Sequence, residues 1–382
     1  MSKSLARVEV MHPASSKAKK RASFDDLLVS GVQAIAEKGL DHVNVMDVTT
    51  RSQVSRPTFY TYFGDMNGFF AEIWLHYGRE WLDAQLDATT DLDADTDLAL
   101  LEIFAASRRI PELLEVVQPE SQRWWDEKFD GDHAAKQNAS WFLGARIGYK
   151  ISKGVSAKGA LGEALYPMLN VTNEELASPL MAGLGNPDKL PVPMSGIKYE
   201  DSSVEDSLTH AAVEVIAKSG VAAASMTRIA RRARVSTGSV YPRFKNSESL
   251  IQSSFQKAIR DIVSGNVAVI EAGGPGVDQY GQAVNTGFGA ERETWRNYRI
   301  EMHLAAAHDS TLARFMEPGF EETATLLRDS AMRMSVGERE ATALAWFMHV
   351  HAIGVSLLFN AIPEIGQLDY RIMARHLGNL LR

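Results

Sequence analysis

Cysteine is absent from this chain of 382 residues. Its absence excludes disulfide bonds, zinc ribbons, iron–sulfur clusters and thiol catalysis, and it suits the reducing cytoplasm in which we expect the protein. An apolar run of the roughly 18 residues that a membrane span requires is also missing, so we expect no membrane contact. Because the sequence has no glycine-rich phosphate loop, nucleophile elbow or paired metal-ligand motif, we expect neither an enzyme nor a bound cofactor or metal.

Positive charge is also in short supply. The chain has 40 Lys and Arg against 48 Asp and Glu, a net charge of −8, which argues against a uniformly basic nucleic-acid binder. Any basic surface must therefore be local. The composition, 45% apolar and 23% charged, is typical of a globular protein, and the length predicts two or more domains.

An internal repeat organises the chain. Residues 28–70 align with residues 209–251 without a gap, at a constant offset of 181 positions. Weaker matches follow, in which Pro119 pairs with Pro318 and Trp141 with Trp346. We infer that one unit was duplicated. Identical pairs in the first stretch include Ile35 and Ile216, Gly39 and Gly220, Arg51 and Arg232, Val54 and Val235, Ser55 and Ser236, Tyr60 and Tyr241, and Phe63 and Phe244.

Each copy contains two short helical segments separated by three residues. They lie at 45–52 and 56–62 in the first copy, and at 226–233 and 237–243 in the second. This spacing is typical of a helix-turn-helix, whose second helix enters the major groove of DNA. The second helices follow serines whose hydroxyls we expect to act as N-caps. These serines are Ser55 and Ser236.

Two segments resemble the N-terminal domain of the TetR family of transcriptional regulators. They are Val-Ser-Arg-Pro-Thr-Phe-Tyr-Thr-Tyr-Phe (54–63) and Val-Ser-Thr-Gly-Ser-Val-Tyr-Pro-Arg-Phe (235–244). The resemblance implies an all-α fold of two TetR-like units, each a three-helix DNA-binding domain followed by a helical ligand-binding and dimerisation domain. We expect the two units to pair as an intrachain pseudo-dimer. Gln53 and Arg234 replace the family's turn glycine, so we expect a left-handed turn residue that costs on the order of 1 kcal/mol.

The predicted boundaries follow from the repeat and from a proline-rich and glycine-rich stretch that breaks helices. They are a basic flexible arm at 1–22, helix-turn-helix domains at 23–68 and 204–249, helical regulatory domains at 69–183 and 250–382, and a linker at 184–203.

Predicted DNA contacts come from the residues that match the family's contact positions and from nearby basic residues. They are Arg51, Ser55, Arg56, Thr58, Tyr60 and Tyr62 in the first copy, and Arg228, Arg232, Ser236, Thr237, Ser239, Tyr241, Arg243 and Lys245 in the second.

The two copies differ in charge. Residues 226–245 carry six basic residues and no acid, whereas residues 46–65 carry two of each. Phosphate contacts dominate affinity for DNA, so we expect the second copy to bind more tightly. The first copy has a preceding basic arm that either supplements binding or is a solvated, disordered terminus. Its basic residues are Lys17, Lys19, Lys20 and Arg21.

A small apolar effector is the second partner that the resemblance implies. Its pocket would be lined by aromatic, Met and His side chains, although residues of this kind at helical spacing also build cores and interfaces. The candidates are Trp125, Trp141 and Phe142 in the first unit, and Trp295, Met302, His303, Trp346 and Phe347 in the second.

The sequence therefore predicts a ligand-responsive repressor that reads an asymmetric or pseudo-palindromic double-stranded operator with two unlike helix-turn-helix units. The alternative is a ligand-sensing or protein-binding helical scaffold that has lost DNA binding in one or both copies. A homodimer in addition to the intrachain pair stays open.

Overall fold

The computed structural model describes residues 16–87, 92–155, 203–272, 278–332 and 338–370. These residues form fourteen α-helices and four short 3₁₀ turns, and they contain no strand. The predicted all-α fold is confirmed. The predicted linker at 184–203 lies outside the described residues except for Ser203, which caps a helix by accepting a hydrogen bond from the backbone N–H of Asp206.

The described part of the first unit contains seven helices. The first three and a 3₁₀ turn at Leu40–His42 make its head, and the other four make its body. The helices are α1 Ser16–Lys38, α2 Val45–Ser52, α3 Arg56–Phe63, α4 Met66–Leu86, α5 Ala94–Ser107, α6 Pro111–Phe129 and α7 His133–Ser152.

The second unit also contains seven described helices. They are α8 Val204–Ser219, α9 Met226–Arg232, α10 Ser247–Ala272, α11 Asp278–Gly287, α12 Glu293–His308, α13 Ser310–Met332 and α14 Glu338–Ala361. The 3₁₀ turns lie at Thr237–Ser239, Ala290–Arg292 and Pro363–Gln367.

The helices of the two units begin at matching positions. The starts of α2 and α9, and of α4 and α10, differ by 181 residues; those of α5 and α12, and of α6 and α13, differ by 199; those of α7 and α14 differ by 205. The increase from 181 to 199 falls where α11 is inserted in the second unit. Pro119 and Pro318 both lie inside their helices, α6 and α13. The duplication therefore extends through the bodies.

Helix α1 begins earlier than the sequence predicts. It starts at Ser16, so the basic residues of 16–22 are helical and not part of a flexible arm. That prediction was wrong for this stretch, because no proline or glycine between Ser16 and Asp25 interrupts a helix that tertiary packing already holds further along. Residues 1–15 lie outside the described part of the chain.

Glycines bring α7 and α14 into close contact. A side chain at Gly148 would overlap the carbonyl oxygen of Val350, and one at Gly354 would overlap that of Gly144. The two helix backbones therefore touch, and only glycine fits at the crossing. Since α7 and α14 are equivalent helices of the two units, this crossing joins the bodies into one core.

Candidate nucleic-acid interface

The first head has the geometry of a helix-turn-helix. Asn44 caps α2 by accepting hydrogen bonds from the backbone N–H groups of Met46 and Asp47. Gln53 ends α2 in the left-handed region at φ 56°, as the sequence predicts for a turn without glycine. Ser55 caps α3 by accepting from the N–H of Thr58, 3.3 Å away, so its predicted capping role is confirmed.

Four phenyl rings hold α3 on the head. The Phe59 ring lies 5.1 Å from Phe63 and 5.0 Å from Phe69, and Phe24 of α1 lies 5.4 Å from Phe63. Aromatic pairs at such distances stabilise beyond their buried area by roughly 0.5–1.5 kcal/mol. With this buried face fixed, Tyr60 projects outward with 51% of its surface exposed.

The second head begins in the same way. Ser225 caps α9 by accepting from the N–H of Arg228, and Arg234 repeats the left-handed turn at φ 59°. The chain then departs from the prediction, since the α-helix expected at 237–243 is absent and only a 3₁₀ turn at Thr237–Ser239 forms.

Proline explains why that helix fails. Pro242 has no N–H to donate to the carbonyl of Gly238, and its ring would clash with that carbonyl in an α-helix. Ser236 makes no capping bond; its hydroxyl instead lies 2.8 Å from that of Ser239. Both predictions for this segment, the helix and its cap, were wrong for the same reason.

The second head also has a weaker anchor. Val240 and Leu250 occupy the positions equivalent to Phe59 and Phe69, and both are fully buried. Phe244 is buried as well. The smaller side chains give less contact area for the segment that follows the turn.

The predicted DNA contacts lie on the surfaces of the two heads. Most of their side chains are exposed, and Thr58, Tyr62, Thr237 and Ser239 are half-buried. The exposed ones are Arg51, Ser55, Arg56, Tyr60, Arg228, Arg232, Ser236, Tyr241, Arg243 and Lys245.

Two of the predicted arginines form an ion pair with a glutamate of the same head. Arg51 pairs with Glu37 of α1, and the equivalent Arg232 pairs with Glu214 of α8. Each pair ties the second helix of a head to its first helix. Their charges are therefore partly neutralised before any DNA arrives.

A neighbouring position carries opposite charges in the two heads. In the first head Lys38 lies 2.6 Å from Asp47 and holds the pKa of that carboxyl below its usual value. In the second head the equivalent residues are Ser219 and Arg228, joined by a hydrogen bond of 2.7 Å that leaves the arginine its full charge. The head surfaces are thus electrostatically unlike.

Below the heads, the two units exchange a pair of ionic contacts. Glu102 of α5 accepts from His308 of the second unit, while the equivalent glutamate, Glu301 of α12, accepts from Arg109 of the first unit at 2.9 Å. Arg109 and His308 are themselves equivalent at the same offset of 199 positions. Arg108 adds a second ion pair to Glu301. We call these five residues the junction cluster.

The junction cluster reaches both heads. Glu102 accepts a hydrogen bond of 2.6 Å from the backbone N–H of Leu40, in the connection between α1 and α2. Arg108 donates at 2.8 Å to the carbonyl of Ala217 in α8. A cavity of about 240 Å³ lies here, lined from both units. This cluster was not predicted from the sequence. The offset of 199 positions in the second halves of the units does show that Glu102 and Glu301 are equivalent residues.

The predicted effector residues are placed differently. All eight belong to the packed core or contact it, and none lines the junction cavity. Trp141 lies between the units, with its ring 4.7 Å from that of Phe347, and Trp125 donates to Glu364 at 3.0 Å. This placement fits the core alternative that the sequence left open, and the effector pocket stays a prediction.

The first head is a complete helix-turn-helix, and the second repeats its first helix and its turn, which together define a protein of the DNA-binding class. The signature of the family described as "Bacterial regulatory proteins, tetR family" matches twice, at residues 27–73 and 208–253. The chain therefore carries two TetR-type N-terminal domains in tandem. That description names regulatory proteins, in line with the expectation that the chain is not an enzyme.

Similar proteins are of ordinary single-unit size. The chain is 24% identical over 94 residues to the "Uncharacterized HTH-type transcriptional regulator YvdT" of Bacillus subtilis (strain 168), a match that spans 24% of this chain and 48% of that protein. A transcriptional regulator from Rhodococcus sp. Rha1, known from its crystal structure, is similar at 20% identity with a TM-score of 0.41; the match covers 47% of this chain and 96% of that one. In the described part of the chain, no helix is both long and apolar enough for a membrane span.

Proposed function

We propose that the chain is a transcription regulator that binds a double-stranded DNA operator through both heads. The observation that carries the proposal is that one chain presents two equivalent heads whose matching tyrosines face solvent. Tyr60 is 51% exposed and Tyr241 is 62% exposed. Exposed tyrosines at these positions supply hydroxyls that can contact phosphate or base edges.

Pairing within the chain supports the use of both heads. In a two-fold interface, residue i of one subunit meets residue j of the other and the reverse contact also occurs. The junction cluster repeats this exchange with Glu102–His308 and Glu301–Arg109. A fused pair of this kind supplies two DNA-binding heads without dimerisation, and their different surfaces favour an operator with unlike halves.

Selection from random DNA tests the proposal. The full chain should enrich a preferred sequence, and Tyr60→Ala and Tyr241→Ala should each weaken its binding by about tenfold or more. Leu75→Ala, which truncates an exposed side chain of α4 outside the heads, is the matched control. If no sequence is enriched and binding is equally weak on all DNA, the chain is the scaffold of the alternative hypothesis.

We further propose that the chain is a repressor whose effector binds in the second body. Two buried histidines support this site. His303 and His349 each have an Nε2 atom without a hydrogen-bond partner among the described residues, and the Phe320 ring lies 5.8 Å and 3.9 Å from their rings. Burial lowers the pKa of His303 to about 4, so its ring is neutral at pH 7. An unpartnered buried polar atom is costly unless a ligand satisfies it.

The tautomer of His303 specifies the effector's chemistry. Its Nδ1 lies 2.8 Å from the carbonyl of Arg299, which can only accept, so Nδ1 carries the proton and Nε2 is an acceptor. The effector would therefore be largely apolar and carry a hydrogen-bond donor. Its binding would change the spacing of the heads and release DNA.

A ligand series tests the effector site. Phenols should release operator DNA in an anisotropy assay, whereas the methyl ethers of the same phenols, which cannot donate, should not. His303→Leu should abolish the response, and His76→Leu, at an exposed position of α4, should keep it. Equal effects of phenols and ethers, or release that survives His303→Leu, would contradict the proposed site.

A further inference from the structure

The two heads differ in backbone structure as well as in charge, and both differences indicate that the heads contact DNA in different ways. We propose that they divide the work of recognition: the first head reads bases, and the second head holds the DNA backbone without reading sequence. This inference rests on the proposed operator-binding function. The sequence predicts that both heads recognise bases, whereas this inference assigns base recognition to the first head and phosphate binding to the second.

Only the first head presents an α-helix for the major groove. Helix α3 runs for eight residues from Arg56 to Phe63, and its exposed face includes Tyr60 and Thr61. Side chains that read bases must project from a rigid element that fits the groove. The caps and phenyl contacts described above supply that rigidity.

The second head has no α-helix in the corresponding stretch. Between α9 and α10 the described backbone forms only the 3₁₀ turn at Thr237–Ser239, followed by turns that end at Phe244. Pro242 would lack the same helical hydrogen bond in the complex, so it disfavours an α-helix here in the bound protein as well. This head therefore lacks the element with which such a domain reads bases.

Charge on the second head suits phosphate binding. Five of its exposed basic residues have no acidic partner among the described residues, and Arg232 is the one that pairs with a glutamate. Two of the five donate only to uncharged oxygens and keep their full charge. The five are Arg228, Arg231, Arg234, Arg243 and Lys245.

The helix-turn-helix segment of the first head has much less free charge than that of the second. Between residues 46 and 65, all of which are described, Arg51 pairs with Glu37 and only Arg56 lacks an acidic partner. Each phosphate that a cation neutralises adds roughly 0.9 to the salt slope of binding, independent of sequence. The structure therefore assigns most of the salt-dependent affinity to the second head and most of the sequence preference to the first.

Charge variants of the second head give the first test. The full chain is titrated by anisotropy onto its selected operator and onto a scrambled duplex over a range of salt concentrations. Replacing Arg231, Arg234 and Lys245 together by Gln should weaken binding to both duplexes by the same factor and lower the salt slope by roughly 3. Arg234→Gln also installs the residue that the first head uses at its left-handed turn, which favours a folded variant.

The equivalent tyrosines give the matched second test. Tyr60→Ala should lower the ratio of operator to scrambled affinity by about tenfold or more. Tyr241→Ala should leave that ratio unchanged while it weakens binding to both duplexes. Circular dichroism of both variants shows whether each is folded.

Base changes in each half of the operator complete the test. Changes under the first head should cost about tenfold each, and changes under the second should cost less than about twofold. If both halves discriminate equally, or if the charge variant lowers the operator preference, the division of labour is overturned while the proposed regulator stands. If the unaltered chain shows no preference for any duplex, the proposed function itself fails.

Discussion

The two units agree where they touch each other and differ where they face solvent. At the junction, Glu102 and Glu301 occupy equivalent positions and each binds a cation of the opposite unit. On the heads, the equivalent positions of α3 hold a capped helix in one unit and a proline-broken turn in the other. Contacts between the units fix the positions of both heads. Each head surface, in contrast, can change in sequence without altering the structure of the other head.

The crossing of α7 and α14 gives the largest expected effect. Gly354→Ala would push a methyl group into the backbone of α7, and overpacking of this kind costs about 1–3 kcal/mol or more. Chemical denaturation should show this loss. Gly287→Ala, where a new methyl group meets nothing within 4 Å, is the control. Equal stability of the two variants would show that the bodies do not depend on the crossing.

The junction cluster should respond unequally to equivalent changes. Glu301→Gln leaves the almost fully buried Arg108 without a carboxylate, although Arg109 keeps Asp41, and should cost about 3 kcal/mol. Glu102→Gln leaves a histidine that can lose its proton, so its cost should be about 1 kcal/mol. Urea midpoints for both variants measure the difference. A larger loss for Glu102→Gln would reverse this ranking.

The stability of the protein should depend on pH through the Glu102–His308 pair of the junction cluster. The Glu102 carboxylate that accepts its hydrogen bond raises the pKa of His308. A raised pKa means that the pair stabilises fully below the ordinary histidine pKa and loses this contribution as pH rises through the folded value. His308→Arg, which installs the residue of the other unit, should remove that part of the pH dependence. Unfolding of both proteins between about pH 6 and about pH 9 checks the sign.

Replacing Pro242 by threonine, the residue at the equivalent position of the first head, gives the smallest expected effect on stability. Pro242→Thr returns the N–H that an α-helix needs and should add a few helical residues to the far-ultraviolet circular dichroism. Thr61, the equivalent residue of α3, donates its hydroxyl to the Pro57 carbonyl at 2.8 Å. If the second head also gains sequence preference in the selection experiment, the proline sets the division between the heads. An unchanged spectrum would assign the broken helix to Gly238 or to weak packing.

Much of the fold could be predicted because it follows local rules. The bounds of α2, the left-handed turn at Gln53 and the cap at Ser55 depend on nearby residues, and the structure confirms them. The prediction of a helix at 237–243 was wrong because it relied on the alignment with the first copy and not on Pro242, whose effect on the backbone is equally local. Analogy with the first copy concealed a signal that was present in the sequence.

The junction cluster could not be predicted in the same way. Glu301 and Arg109 are 192 residues apart, and their contact depends on how two complete units dock. Buried charges in a sequence look like solvated ones until the tertiary structure pairs them. The aromatic candidates for the effector pocket show the converse, since Trp141 and Phe347 read equally well as pocket or as interface.

The close approach of Gly148 and Gly354 has a consequence for how the protein works at low abundance. Helices that touch through their backbones, and are carried by the same chain, do not separate on dilution. Occupancy of a binding site should therefore follow the first power of protein concentration, without the steeper dependence of a regulator that must first assemble from two chains. A mutation in one head also leaves the other unaltered, so the two halves of a target site can diverge independently.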